Sequence, residues 1–273
     1  MPERRPAALV VCAAALTGLL AGALSGCTGP GPSGSPPPSA VSLPKYYDPA
    51  PLLADVDART RSDGAATLSV AGTLTGAAGP VPVTGDGAVR LDPGGAGPAV
   101  RLALRSGPEG TVPRSVELVR VGSRTWFRPA GTGWSEAGRS PLPPAAVADA
   151  TLAANVAAGV DPLAAVARYP DAVLVAEATD TDVDGIPAVH YVLVVDLGRA
   201  LATENDPARR EALAAQHRAG ITRMSAEIWL DADRRPLRSR LRQQLPGTGV
   251  LDLLIRYRDW GAPVTIEGPL RGS

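Results

Sequence analysis

From residue 66 onward the chain alternates between apolar and polar positions. Leu68, Val70 and Leu74 are spaced by Ser, Ala and Thr, Val89 and Leu91 follow, and Val100, Leu102 and Leu104 alternate with Arg101 and Arg105. A period of two is the mark of half-buried strands. Residues 116–121 and 125–128 flank Gly122-Ser123, a hairpin turn, and Gly131-Thr132-Gly133 makes another turn before Trp134. Strands resume at 173–178, turn at Asp184-Gly185 and return along 186–197. Four more follow at 225–231, 237–245, 250–257 and 264–267. In 237–245 one face carries Leu237, Leu241 and Leu245 and the other Arg238, Arg240 and Arg242. The next strand sets Leu251, Leu253, Ile255 and Tyr257 against Asp252, Arg256 and Arg258. The pattern predicts an antiparallel sheet, apolar on one side and arginine-studded on the other. The βαβ alternation of a parallel doubly wound sheet is absent.

Helical segments interrupt this meander. Asp48-Pro49 followed by Leu52, Leu53 and Val56 predicts a short helix to about Arg61. Between 142 and 169 two short helices are expected, the second opened by Asp161 with Pro162 at its first position. Asp206-Pro207 opens a last helix that ends at Gly220.

The N-terminus follows other rules. Arg4 and Arg5 precede an apolar run, 7–23, that closes on Leu24-Ser25-Gly26-Cys27. A positive start, an apolar stretch and small residues before a cut site form a secretory signal. Its end resembles a bacterial lipobox, which implies that residues 1–26 are removed and that Cys27 carries lipid. The alternative, an uncleaved membrane helix, suffers from the short, Ala- and Gly-rich run. Residues 29–43, GPGPSGSPPPSAVSL, cannot bury a core, and 27–44 is expected to be a semi-extended tether ahead of one domain, 45–273. Cys12 and Cys27 are the two cysteines, so the exported domain is expected to be free of disulfides.

Net charge is formally zero, which excludes a generally basic nucleic-acid binder. Lys45 is the sole lysine, and the Ala, Gly, Pro and Arg content suggests a GC-rich, actinobacterial source. Charge is uneven: 145–197 holds eight acids against Arg168, and 199–258 twelve arginines against seven acids. The arginine rows read either as a solvated face paired with Glu227, Asp231 and Asp252, the favoured reading, or as a surface drawn to anionic headgroups. Trp229 shares that face and is expected to stack on an arginine.

Several segments in order resemble the LppX/LprA/LprF/LprG family of actinobacterial lipoproteins, which have the LolA/LolB-type fold. They are the lipobox and tether, Asp48-Pro49-Ala50-Pro51-Leu52-Leu53, the hairpin Val119 to Pro129 with Gly133-Trp134, Asp182 to Tyr191, Glu227 to Pro236 and Gly261 to Glu267. The resemblance implies an α+β fold: a half-open antiparallel β-barrel wrapped around a few helices, with an apolar cavity between sheet and helices. That cavity would take the acyl chains of a lipid or glycolipid and carry or present them in the cell envelope. The protein would be lipid-anchored on the outer face of the cell membrane, with an envelope transporter as a candidate partner. Strand parity nominates Ala226, Ile228, Leu230, Leu241, Leu253 and Ile255 as cavity-lining residues, with Leu163 and Val166 on the helix facing them. A protein-interaction or sensor module with a closed core is the alternative.

Other chemistry is thin. Asp180-Thr181-Asp182-Val183-Asp184-Gly185 opens like a calcium loop, but its twelfth position is Tyr191 where a glutamate is needed, so an acidic hairpin turn is the better reading. Ser42-Leu43-Pro44-Lys45 matches S-x-x-K, yet no lysine remains for the K-T-G that such serine enzymes need. His190, mid-strand among valines, reads as a packed core residue, and His217 sits near a helix C-terminus. No nucleophile–base set or metal cluster stands out, so neither enzyme activity nor a cofactor or metal is expected.

Overall fold

The computed structural model describes residues 42–91, 97–163, 166–245 and 248–269. The signal segment, Cys27 and nearly all of the tether lie outside the described residues. Chain order is α1 (Pro49–Asp63), β1 (Ala65–Gly76), β2 (Gly79–Arg90), β3 (Ala99–Ser106), β4 (Arg114–Val121), β5 (Arg124–Pro129), β6 (Ser135–Glu136) and α2 (Pro144–Gly159). A 3₁₀ turn (Pro170–Ala172) leads to β7 (Val173–Val183), β8 (Ile186–Asp196), α3 (Leu197–Thr203), α4 (Pro207–Arg218), β9 (Arg223–Leu230), β10 (Pro236–Leu245) and β11 (Gly249–Arg258).

The strands form one antiparallel sheet in the order β6-β5-β4-β3-β2-β1-β11-β10-β9-β8-β7. It is open, with β6 and β7 at its edges, so the half-closed barrel expected from the sequence is here an unclosed sheet. Two meanders, β1–β6 and β7–β11, meet where β1 pairs with β11 from Thr67↔Arg258 to Thr75↔Val250. That ladder needs close backbone approach at Gly72, where an added Cβ would sit 2.1 Å from the Asp252 carbonyl oxygen. At the tip of β7–β8, Asp184 (φ 56°) and Gly185 (φ 86°) both take the left-handed region that a tight two-residue hairpin requires.

The inward side of the sheet is divided between two cores, and β11 belongs to the first of them. The first core gathers Leu68, Val70, Leu102, Leu104, Leu118, Leu251, Leu253 and Ile255 under α2, whose Leu152, Ala153 and Val156 complete it. The second gathers Tyr191, Leu193, Ile228 and Leu230 with Leu52, Leu53 and Val56 of α1, Leu197 and Ala200 of α3 and Leu213 of α4. Asp48 caps α1 by accepting from the Ala50 amide at 3.0 Å. Among the described residues no helix is long and apolar enough to cross a membrane.

Three expectations are corrected. The described part of 161–169 runs in turns, with Val166 and Tyr169 amides bonded three residues back, and is not a second helix. Asp161 still accepts from the Leu163 amide at 3.1 Å, but Pro170 bars a helical conformation at Tyr169 and stops any helix there. Residues 264–267 are extended but join no ladder. Instead Val264 and Ile266 pack on the outer face against Trp126, Val119 and Ala88, and form a small third core. Lastly, the strand read as 186–197 ends at Asp196, whose side chain accepts from the Arg199 amide and starts α3.

Candidate lipid-binding face

Between β9 and β10 the ladder stops short of the strands' ends. β9 and β10 pair at Pro236↔Leu230 and, past a bulge, from Arg238↔Trp229 to Arg240↔Glu227, and there the ladder stops. β8–β9 continues to Asp196↔Arg223, and β10–β11 continues to Leu245↔Gly249. The sheet therefore forks, leaving residues 223–226 on one branch and 241–245 on the other without each other as partners.

The fork is also the seam between the two cores. Ala226 and Met224 pack half-buried against the second core, and Leu241 packs half-buried against the first. The eight side chains nominated from the sequence fall on both sides of it. Leu163, Val166, Ala226, Ile228 and Leu230 belong to the second core, and Leu241, Leu253 and Ile255 to the first. All but Ala226 and Leu241 are buried. Two pockets mark the surface elsewhere: about 230 Å³ on the outer face beside Ser69, Thr84, Asp86 and Arg105, and about 120 Å³ beside Asp57, Arg61 and Asp161. None of the eight lines either of them.

The C-terminus of α2 lies over the 241–245 branch. Gly159 lies against Leu241, so that an added Cβ would come within 2.7 Å of its Cδ2. Just beyond, Tyr257 donates its hydroxyl to the Val160 carbonyl at 3.0 Å and shares a 2.8 Å hydrogen bond with Ser239 Oγ. Burial pushes the Tyr257 phenol well above its usual range, so it stays a donor. Gln243 Nε2 donates to Asn155 Oδ1 at 3.2 Å, a polar tie from β10 to α2 beside the gap.

Beside the second core, buried Glu204 accepts from the Tyr169 hydroxyl, from Arg209 Nε at 3.1 Å and from the Asp206 amide at 2.7 Å. The Tyr169 hydrogen bond, then those of Arg209 and the Asp206 amide, hold this carboxyl down at about 2. The cluster fastens α3, α4 and the 166–169 turn over the second core.

The outer face departs from expectation in its aromatics. Trp229 stacks on His190, directly opposite across β8–β9, with ring centroids 4.2 Å apart and a 10° interplanar angle. It does not stack on an arginine. His190 is thus an outer-face residue, with Nε2 3.2 Å from Glu227, and is not part of the core. Arg240 grips Asp252 with two 2.8 Å bonds, and Arg238 and Arg256 converge on Asp184 at 2.7 and 3.0 Å. These pairs support the laced, solvated reading of the arginine rows. Asp231 takes no arginine and instead accepts from the Asp233 and Arg235 amides. Burial raises its carboxyl to about 6.

Asp180 accepts from Lys45 Nζ at 2.6 Å and from Ser42 and the Leu43 amide, so the would-be calcium ligand serves the N-terminal arm. Among the described residues no group of three or more His, Cys, Asp or Glu side chains is placed to hold a metal.

The sequence reading missed Met224, Gln243, Asn155 and the Ser239–Tyr257 pair. One signal was visible: Gln243 breaks the apolar row Leu241–Leu245 at an inward position, and it is exposed.

No family model and no curated protein matches the chain. Among solved structures it is similar to LprF from Mycobacterium bovis, at 15% identity and TM-score 0.40 over 82% of this chain and 99% of that one. It is also similar to a DUF1329 family protein from Desulfovibrio piger, at 10% identity and TM-score 0.33 over 80% and 95% of the two chains. A putative outer membrane lipoprotein-sorting protein domain from Vibrio parahaemolyticus follows, at 11% identity and TM-score 0.29 over 77% and 89%. The chain resembles the LppX/LprA/LprF/LprG family in its motifs, and LprF of that family stands among the structures to which it is similar.

Proposed function

We propose that this chain is an envelope lipoprotein, anchored through lipid on Cys27 at the outer face of the cell membrane. It holds the acyl chains of a lipid or glycolipid between its two apolar cores and carries or presents them. The observation that carries this reading is the fork. An acyl chain entering between Ala226 and Leu241 would have no strand ladder to break, because none joins the branches there. Each methylene then buried contributes about 0.8 kcal/mol. The role proposed is binding, and His190, with Glu227 and Trp229, lies on the face opposite the two cores.

A second reading, a protein-interaction or sensor module with closed cores, draws on the burial of six of the eight nominated side chains. Ala226→Trp separates the two. In a packed core, overfilling costs about 1–3 kcal/mol. At an open fork it leaves melting nearly unchanged and abolishes retention of a fluorescent fatty acid and of lipid seen by native mass spectrometry. Lost stability with unchanged binding would favour the closed module.

A further inference from the structure

On the outer face of β9 and β10 the pairing of arginines stops where their ladder stops. Arg238 and Arg256 are tied to Asp184, and Arg240, at the last rung, grips Asp252 and reaches Glu227 at 3.4 Å. The next arginines along the two branches are Arg242 and Arg223. Both are exposed, and neither guanidinium has a hydrogen bond or ion pair among the described residues. The carboxylates opposite them are engaged. Asp252, across from Arg242, is held below the usual carboxylate range first by the hydrogen bonds of Arg240, with Arg242 acting on it only through space. Asp196, across from Arg223, accepts from the Arg199 amide and starts α3. Carried past its last rung, the β9–β10 register would set Leu241 against Ala226, Arg242 against Ser225, Gln243 against Met224 and Gln244 against Arg223. Parity then sorts the gap by face. Leu241, Ala226 and Met224 look inward, and Arg242, Ser225, Gln244 and Arg223 look outward, all four of them exposed.

We infer that the outer rim of the fork receives an anionic head that offers oxygen acceptors, as a phosphate ester does, from a lipid whose chains lie on the inner side. The inference rests on the function proposed above and adds the class of head group. The rim supplies two guanidinium groups and a hydroxyl and carries no carboxylate of its own. A guanidinium is a fork of N–H donors that matches phosphate oxygens two at a time, and such charge-assisted bonds are the strong ones. Both arginines are exposed, so water serves them when no ligand is bound and the fold does not depend on them. They therefore select among lipids without stabilising the domain.

The test uses the lipidated full-length protein in mild detergent and two pyrene-labelled probes with the same acyl chains, phosphatidylglycerol and diacylglycerol. The unmodified sequence should hold phosphatidylglycerol several-fold more tightly. Arg223→Gln with Arg242→Gln should erase that preference and leave both the diacylglycerol affinity and the melting temperature unchanged. Arg258→Gln removes an exposed arginine at the other end of β11 and should leave the preference intact. Millimolar inorganic phosphate should not displace the bound phosphatidylglycerol, because its chains hold it as well. Equal affinity for the two probes, a preference that survives the double variant, or one that Arg258→Gln abolishes equally, overturns the inference while leaving lipid binding in place. Displacement by inorganic phosphate overturns it too, since the rim would then be a site for the free anion. Retention of neither probe overturns the proposed function and this inference together.

Discussion

Tyr257→Phe removes one oxygen from the seam beside the fork. Tyr257 is 3% exposed, and its hydroxyl stands between Ser239 Oγ at 2.8 Å and the Val160 carbonyl at 3.0 Å. The ring keeps its place in the first core, so packing is conserved and the loss is polar. Two buried groups lose their partner at once, and a buried polar group left unpaired costs about 1–3 kcal/mol. The missing oxygen's own desolvation offsets part of this, which leaves a net destabilisation of about 2 kcal/mol. Ser239→Ala should cost less, about 0.5–1.5 kcal/mol, because Tyr257 still donates to Val160. The double variant should fall short of the sum of the two, since Ser239 is no longer there to be orphaned. Urea unfolding reads all three, with the midpoint moving and the slope constant. A Tyr257→Phe change below about 0.5 kcal/mol, or strict additivity with Ser239→Ala, would refute the claim that this pair pins the end of α2 to the sheet.

Asp231 gives a pH signature. Its folded carboxyl is raised to about 6 by burial, so the protonated form suits the fold: the stabilisation is complete below the ordinary aspartate range and is lost as pH rises through about 6. Asp231→Asn keeps the acceptor for the Asp233 and Arg235 amides and should flatten the fall in melting temperature between pH 4 and pH 7; an unchanged slope would show that another group titrates there. Cys27→Ala should move the protein from the membrane fraction to the soluble one with the melting temperature of the domain preserved. A variant that stays membrane-bound would sink the lipobox reading.

Local sequence carried what depends on single strands and turns. Gly122-Ser123 and Asp184-Gly185 mark hairpins because only certain backbones close them, and the parity of 251–257 holds at every position because one face is buried. What escaped depends on partners far away in sequence. The Trp229–His190 stack exists because β8 and β9 pair in one particular register, and neither strand announces the other's. Val264 and Ile266 alternate like a strand, yet what they cover is an outer-face patch around Trp126 that no alternation rule reveals. The 161–169 segment has helix-forming composition and a sound cap at Asp161, but Pro170 bars a helical conformation at Tyr169. The nominated face was legible as a face. Its division between two cores was not, because that follows from where one ladder ends.

That ending has a physical consequence for what the fork can hold. Strands that stop pairing leave amide and carbonyl groups aimed into the gap, and such groups must find water or a ligand. An acyl chain cannot serve them. Inward side chains and in-plane backbone would therefore suit different parts of one molecule: Ala226, Met224 and Leu241 offer apolar contact beneath the sheet, while 223–226 and 241–245, paired to β8 and β11 but not to each other, with the Gln243–Asn155 pair beside them, turn their other edges to the gap. A purely hydrocarbon ligand would leave the second set to water, and a purely polar one would leave the first set empty. On the function proposed here, an amphiphile with its chains below and a hydroxyl- or ester-bearing head in the gap would satisfy both.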